Sequence, residues 1–456
     1  MMHMKPDVTC KRLCLASLLR LAVVLATYSH TQANASGLPA RPAEEFLNSI
    51  GVASTFEDRG QAHSKTVEML RYGGFRWLRG GIEGVTGDGP VTIDTFLAIH
   101  KETGVKISWG LGSGGNDLDK LLATGRVLAN AGALLAFEGN NEPNNWPVVY
   151  HGKEGGGTKS WLPVAGLQAD LYRSVKSDPL LATYPVWSIS ESGAQTDNVG
   201  LQFLQIPEGA DTLMPPGTRY ADYANVHNYP YHPNVPLPSD NKSWDASDPG
   251  RSSRVDGLYG NFGKTWGRGH QGYLEEDLAQ LPKVTTETGV AVSGEVDEAL
   301  QASNLINIYL SQFARGYSYT AVYLLRDRTD EEGVQTYGFF RPDYSPRMAA
   351  HYLHNLTLIL ADDSTMIPTG LLEYSIEPEY ETVHDLLLQR SDGAFQLVLW
   401  GEALKGENTV TVKFNRTAAK AAVFDPTIDT LPQTEYVDAD EIIVKISNHP
   451  VIITVQ

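Results

Sequence analysis

The sequence predicts an α/β fold: a (β/α)8 TIM barrel followed by an all-β sandwich domain. Two observations carry this. Short apolar runs alternate with segments of helical periodicity across residues 47 to 358, the beat of parallel strands and crossover helices. From about Asp362 the beat becomes strand after strand, with turns such as Ser391-Asp392-Gly393 and no convincing helix between them. The runner-up is an open doubly wound sheet. No Gly-rich phosphate loop joins a strand to a helix, which counts against its nucleotide-binding form.

The elements follow in order. Leu47 to Phe56 is the first predicted strand, and Ser64 to Tyr72 has a helical pattern leading to Gly73-Gly74. Phe75 to Gly81 is the second strand, Ile93 to Thr103 a helix, and Val105 to Leu111 the third strand. Asp117 to Asn130 is amphipathic and helical, and Ala133 to Asn144 is an apolar run ending in polar residues, the fourth strand. Pro163 to Lys176 is a helix, because Val164, Leu167, Leu171 and Val175 recur at helical intervals. Tyr184 to Ser190, Tyr223 to Tyr229, Lys283 to Glu287 and Tyr319 to Leu325 supply strands five to eight. Val296 to Tyr317 and Ser345 to Leu358 are helices, the second opened by Ser345-Pro346. Beyond them, strands are expected at Thr369 to Ile376, Val383 to Gln389, Phe395 to Trp400 and Thr409 to Phe414. Three more are expected at Ala421 to Phe424, Glu441 to Ile446 and Pro450 to Val455.

The domain plan is therefore a leader over residues 1–35, a barrel over 36–360 and a sandwich over 361–456. Lys5, Lys11 and Arg12 form a basic start, and the apolar segment Leu13 to Ala26 follows, broken by Ser17 and Arg20. Ala33-Asn34-Ala35 gives a small-x-small cleavage site. The pattern is that of a secretory signal peptide, too short in its apolar part to span a bilayer, so a secreted or periplasmic protein is expected. Both cysteines, Cys10 and Cys14, fall inside this leader, so the mature chain uses neither disulfides nor thiol chemistry. The leader carries four basic residues and one acid, so its removal takes the formal charge from -18 to -21. A chain this acidic has no electrostatic case for nucleic acid or an anionic membrane surface.

In such a barrel, functional groups lie at the C-terminal ends of the strands. Those ends carry Arg79 on strand two, Asn141-Glu142-Pro143 on four, Glu191 on five, His227-Asn228-Tyr229 on six, Thr286-Glu287-Thr288-Gly289 on seven and Arg326-Asp327 on eight. Two glutamates on strand ends suit cleavage of a glycosidic bond, which needs one carboxyl to protonate the leaving oxygen. A second must attack the anomeric carbon or activate water. A tyrosine and an arginine can hold that second carboxylate ionised. The amide of Asn141 is placed to meet a sugar hydroxyl near the reacting carbon. Each residue also has a plainer role open to it. Arg79 can pair with Glu83 or Asp88, His227 can be a satisfied core histidine, and Glu287 can be a solvated loop carboxylate. Glu138 shares the strand parity of Glu142 and faces either the barrel or the helices.

These residues resemble glycoside hydrolase clan A. Asn141-Glu142-Pro143 on the fourth strand is similar to its acid/base signature, and Glu287 in Thr-Glu-Thr-Gly on the seventh is similar to its nucleophile position. Arg79 is similar to its strand-two arginine, and His227 and Tyr229 to its strand-six His-x-Tyr pair. The C-terminal β-sandwich is similar to that of family 39 and family 30 relatives, with family 39 endo-glycosidases the nearest. The resemblance implies a retaining β-glycosidase acting on an oligo- or polysaccharide through a covalent glycosyl-enzyme, with Glu142 as acid/base and Glu287 as nucleophile. No metal or organic cofactor is implied. One departure is Asn140, which stands where many clan members carry Trp or Gly before the Asn-Glu-Pro, and which is expected to bear on a subsite.

Glu191 and Asp327 are candidate substrate-binding residues. The long connection Pro230 to Gln271 is a candidate binding loop with Tyr231, Trp244, Tyr259, Phe262 and Trp266. Trp146 and Trp161, beside Gly155-Gly156-Gly157, are further candidates to stack on sugar rings or to pack their own loop. The rival classes are a non-catalytic carbohydrate-binding protein on the same fold, and a glycosidase serving exopolysaccharide synthesis or export. Loss of one glutamate would mark the first, and both are present.

Overall fold

The computed structural model describes residues 38–85, 89–143, 145–157, 159–190, 218–229, 282–294, 296–314, 316–330, 335–362, 370–380, 382–401 and 406–456. Eight parallel strands form one sheet: β1 (Ile50–Ala53), β2 (Trp77–Gly81), β3 (Lys106–Gly112), β4 (Leu134–Asn140), β5 (Val186–Trp187), β6 (Ala224–His227), β7 (Lys283–Thr288) and β8 (Tyr317–Val322). Their spatial order is β6-β7-β8-β1-β2-β3-β4-β5. The isolated parallel bridge Trp187↔Tyr223 joins the two ends, so the sheet closes into the expected barrel.

Helices precede, separate and follow these strands: α1 (Ala43–Ser49), α2 (His63–Gly73), α3 (Ile93–Thr103), α4 (Leu118–Asn130), α5 (Leu162–Ser177), α6 (Glu298–Ala314) and α7 (Met348–Ile359). Sequence explains their ends. Thr92 and Thr95 form a reciprocal capping box on α3, and Asp117 accepts the Lys120 N–H at the start of α4. Gly74 and Gly104 close α2 and α3 in the left-handed conformation. Several boundaries differ from the sequence expectation: α7 begins at Met348, after Ser345-Pro346, and Tyr317, expected at the end of the preceding helix, opens β8. Residues 47–49 are the last turn of α1, not the start of the first strand. An apolar run as short as Leu47 to Val52 has no period that separates helix from strand, and the acidic pair Glu44 and Glu45 favours the helix N-terminus before it.

The barrel interior is layered. At the bottom Trp77, Ala136, Trp187, Val284 and Ala321 pack together. Gly51 admits the Trp77 ring, since a Cβ there would lie 2.0 Å from it. One side-chain step higher along the same strands come Arg79 on β2, Glu138 on β4 and Thr286 on β7. A polar layer thus sits on an apolar floor.

The C-terminal strands are β9 (Tyr374–Glu377), β10 (Val383–Gln389), β11 (Phe395–Gly401), β12 (Asn408–Phe424), β13 (Pro432–Ile446) and β14 (Pro450–Val455). They run β9-β12-β14-β11-β10, with β13 paired along β12. The predicted pieces 409–414 and 421–424 are two halves of the single strand β12, whose register with β13 shifts between Lys413 and Ala418. The first half pairs β9 and the second pairs β14. The polar stretch Asn415-Arg416-Thr417 hides this continuity, because those side chains are exposed.

β11 is buried along its whole length. Phe395, Leu397 and Leu399 enter the core of the β domain, while Val398 and Trp400 join the barrel core. Gln396 donates to the Ile359 carbonyl at the end of α7, and Asn307 of α6 donates to the Gly401 and Asn448 carbonyls. The segment before the barrel also belongs to this layer: Leu38–Pro39 pairs Leu371–Leu372, and Arg41–Pro42 pairs β10. Among the described residues no helix is long and apolar enough to cross a membrane.

Candidate active site

Arg79 is the hub of the polar layer. Its guanidinium meets Glu138 at 2.7 Å and Glu287 at 2.8 Å, and it donates to Asn141 Oδ1 at 2.8 Å. Glu83 instead accepts the Ser113 N–H at 2.8 Å, and Asp88 lies outside the described residues; beside the expected Glu287, Arg79 takes as its counterion Glu138, 1% exposed on β4. Burial is the largest influence on the Arg79 guanidinium and opposes its charge, but Glu138 and Glu287 outweigh it and hold the proton firmly. Thr286 donates to Glu138 Oε1 at 2.8 Å, and Asn225 lies over the same oxygen at 3.4 Å.

Glu142 sits just past β4 with φ 41°, a left-handed conformation rare for a non-glycine residue. Its surroundings enforce it. The Glu142 N–H donates to Ser190 O at 2.7 Å, and its carbonyl accepts from the N–H groups of Asn145 and Trp146, each at 2.8 Å. Such a backbone costs on the order of 1–3 kcal/mol and persists where neighbours over-determine it. Pro143 is fixed next: Gly157 N–H donates to its carbonyl, and a Cβ on Gly156 (φ 95°) would lie 2.3 Å from that oxygen. The glycine run therefore lets the loop after β4 fold back on Asn141-Glu142-Pro143.

The Glu142 carboxyl meets His227 Nδ1 at 2.7 Å and accepts from Asn145 Nδ2 at 2.9 Å. Burial is the largest single influence and pushes its pKa up, but His227, Asn145 and Arg79 together hold it below the usual carboxylate range. Tyr229 donates its hydroxyl to Glu287 Oε1. Burial first, then the Glu287 charge, pushes the Tyr229 phenol well above its usual range, so it stays a donor. Glu287 thus receives a cation on one oxygen and a phenol on the other. One ligand atom from each of Glu142, His227 and Glu287 lies within 4.8 Å of the other two. A cation set among them would have to break the direct Glu142–His227 contact and sit beside the Arg79 charge. The donor set as folded suits protons better than a metal.

The structure therefore brings together Arg79, Asn141, Glu142, His227, Tyr229 and Glu287. It adds Asn225, which the sequence does not single out, brings in Thr286 from the end of strand seven, and turns Glu138, whose direction the sequence leaves open, into the barrel. The signal for Glu138 was present: a buried arginine needs a buried counterion, and Glu138 is two residues, hence one inward step, above Ala136. Asn141 presents its Oδ1 to Arg79 and its Nδ2 to Ser113 Oγ at 3.2 Å.

Other candidates lie elsewhere. Asp327 is 3% exposed, accepts from Gly338 N–H at 2.7 Å and pairs with Arg347 at 2.5 Å, so its carboxylate is engaged in holding the loop after β8. Trp161 is fully buried and donates to Gly157 O at 3.1 Å, so it packs the loop. Asn140 is buried too, and its amide donates to Gly115 O at 2.6 Å, which makes it a tie to the loop after β3 instead of a subsite residue. Trp146 is 54% exposed and lies four residues from Glu142. Glu191, Trp266 and the remaining aromatic residues of the 230–271 connection lie outside the described residues.

No family model and no curated protein matches the chain by sequence. Solved structures do match. A family 39 glycoside hydrolase from the gut symbiont Bacteroides cellulosilyticus WH2 superposes with a TM-score of 0.55 at 17% identity, over 92% of this chain and 83% of that one. A glucosidase from Croceicoccus marinus gives 0.57 at 11% identity, over 92% and 97%. A family 51 α-L-arabinofuranosidase from Bifidobacterium longum gives 0.54 at 12% identity, over 93% and 98%. Over more than nine-tenths of its length the chain has the fold of these glycoside hydrolases, the β domain included.

Proposed function

We propose that the protein is a retaining glycoside hydrolase that cleaves β-glycosidic bonds in an oligo- or polysaccharide, with Glu142 as acid/base and Glu287 as nucleophile. The observation that carries the reading is the unequal dressing of two carboxyls across one barrel mouth. Glu287 receives the Arg79 guanidinium on one oxygen and the Tyr229 hydroxyl on the other, two donors that orient it as a nucleophile. Glu142 instead faces His227, a group able to trade a proton with it. Oxygens of the two lie within 4.8 Å. Separations of about 5–5.5 Å accompany retention, while inverting enzymes leave roughly 6.5–9.5 Å for a water. The shared fold supports the same class, and the β configuration rests on the resemblance of Asn141-Glu142-Pro143 and Glu287 to clan A.

In this mechanism Glu287 attacks the anomeric carbon as Glu142 protonates the departing oxygen. Glu142 then takes a proton from the water that releases the sugar from Glu287. Trp146, exposed and tied through its N–H to the Glu142 carbonyl, is the aromatic residue assigned to the leaving sugar in this reading.

The test is a panel of β-linked oligosaccharides with proton NMR of the first-formed product, which is expected to be the β anomer. Appearance of the α anomer first would end the retaining reading. In Glu142→Gln, turnover of natural glycosides should fall by about 10²–10⁴-fold, the usual worth of a general acid. Aryl glycosides with activated leaving groups should lose far less. Equal loss on both would remove Glu142 from the acid role.

We also propose that the chain is exported, on the basic start, the apolar segment Leu13 to Ala26 and the Ala33-Asn34-Ala35 site. N-terminal sequencing of the protein recovered outside the cytoplasm should begin near residue 36. A mature protein that retains Met1 to Ala35 would contradict it.

A further inference from the structure

The polar layer beneath Glu142 contains a hydrogen-bond chain with a fixed direction. Glu138 is buried against Arg79 and is therefore a carboxylate, which only accepts. Thr286 has one hydroxyl proton, and its Oγ1 lies 2.8 Å from Glu138 Oε1. If that proton pointed elsewhere, two lone pairs would face each other at this distance. The next acceptor within reach, Asn225 Oδ1 at 3.2 Å, would also use the proton. In both arrangements Thr286 Oγ1 has only a lone pair left for His227 Nε2, 3.1 Å away. His227 must therefore carry a hydrogen on Nε2, a tautomer assigned from the network around it.

The consequence falls on the other ring nitrogen. His227 Nδ1 meets Glu142 Oε1 at 2.7 Å. With Nε2 protonated, a neutral imidazole offers Nδ1 as a bare lone pair, and an ionised Glu142 offers another. The contact is bonding only with one further proton between them, on Nδ1 or on Oε1. The charged and titratable groups packed about the pair, among the described residues, are Arg79 from β2, Glu138 from β4, Glu287 from β7 and Tyr229 after β6. Arg79 carries one positive charge against the two carboxylates Glu138 and Glu287. The pair is neutral with its proton and anionic without it, so losing that proton adds a negative charge to a buried site already in excess of one.

We propose that Glu138 and Thr286 are positioning residues that, through the His227 tautomer, make the Glu142–His227 pair retain the one proton that general-acid catalysis delivers. This rests on the glycosidase reading for its catalytic meaning, but not for its geometry. The proton balance is closed. The pair's proton goes to the glycosidic oxygen as the bond to the anomeric carbon breaks and Glu287 takes that carbon. The attacking water returns a proton to the pair as the glycosyl-enzyme is hydrolysed.

The test is Thr286→Val, with Thr286→Ser as the conservative control, each checked for folding by circular dichroism. Without the hydroxyl, His227 is free to carry its hydrogen on Nδ1 and donate to an ionised Glu142 with no extra proton. The basic limb of the kcat/KM profile on unactivated glycosides should then move to lower pH by about one unit, while aryl glycosides with good leaving groups keep most of their rate. Thr286→Ser should restore the limb. A limb unmoved in Thr286→Val, with the tautomer changed, would overturn the claim of proton retention. Nitrogen-15 NMR of the His227 ring separates this from the wider functional reading, because it needs no substrate. The wild-type ring should be protonated at Nε2, and a ring bare at Nε2 overturns the network whatever the protein hydrolyses. If the tautomer is as expected and no β-glycoside is turned over, the glycosidase reading fails and the network stands.

Discussion

Glu287→Ala is expected to abolish hydrolysis, by on the order of 10⁴–10⁶-fold in kcat, the scale of losing a covalent nucleophile. The fold should survive it. Arg79 keeps Glu138 at 2.7 Å and Asn141 Oδ1 at 2.8 Å, so no buried charge is left alone. Tyr229 loses its carboxylate acceptor but lies at the barrel mouth, where water can replace it. The measurement is turnover of an aryl β-glycoside, together with a thermal melt. Wild-type-like turnover would take the nucleophile role away from Glu287. A melt lowered by tens of degrees would mean that the lost activity says nothing about chemistry.

Arg79→Met should do the opposite, acting on stability as much as on rate. The substitution keeps much of the volume but leaves Glu138 at 1% exposure without a cation. Breaking one side of a buried ion pair costs about 3–5 kcal/mol, since the remaining charge cannot reach water. Urea unfolding should show that loss, and the double variant Arg79→Met/Glu138→Gln should recover a large part of it. A single-variant loss under about 1 kcal/mol, or no recovery in the double variant, would show that Glu138 is not the charge Arg79 neutralises. Hydrolysis should stay impaired in the double variant, because Glu287 still lacks its guanidinium partner at 2.8 Å.

Much of this is legible in the sequence. Buried parallel strands are written as apolar runs, so Val105 to Leu111 and Ala133 to Asn144 stand out against the amphipathic helices between them. The strand ends then place Glu142, His227 and Glu287 at one mouth by topology alone. What escaped follows from what a linear pattern lacks. Parity says that Glu138 and Glu142 share a face but not which face, and only a neighbour of known direction, such as Ala136 beside Trp77, decides it. Trp161 and Trp146 are the same residue type in one loop, yet the first is core and the second is exposed, a difference set by how the loop folds on Pro143. Strand β12 reads as two pieces because Asn415-Arg416-Thr417 faces solvent in mid-strand, where burial supplies no apolar signal.

The strand β11 has one further meaning. With Leu397 and Leu399 turned to one core and Val398 and Trp400 to the other, it is a party wall: neither room stands if it is taken down. The pieces at 38–42 tie the start of the described chain to the neighbouring strand β10 and to Leu371–Leu372. The β domain is therefore not cargo that could be exchanged for another module at residue 361. A catalytic half cut there would bare the outer faces of α6 and α7, and any recombination that borrows this barrel must borrow its sheet as well.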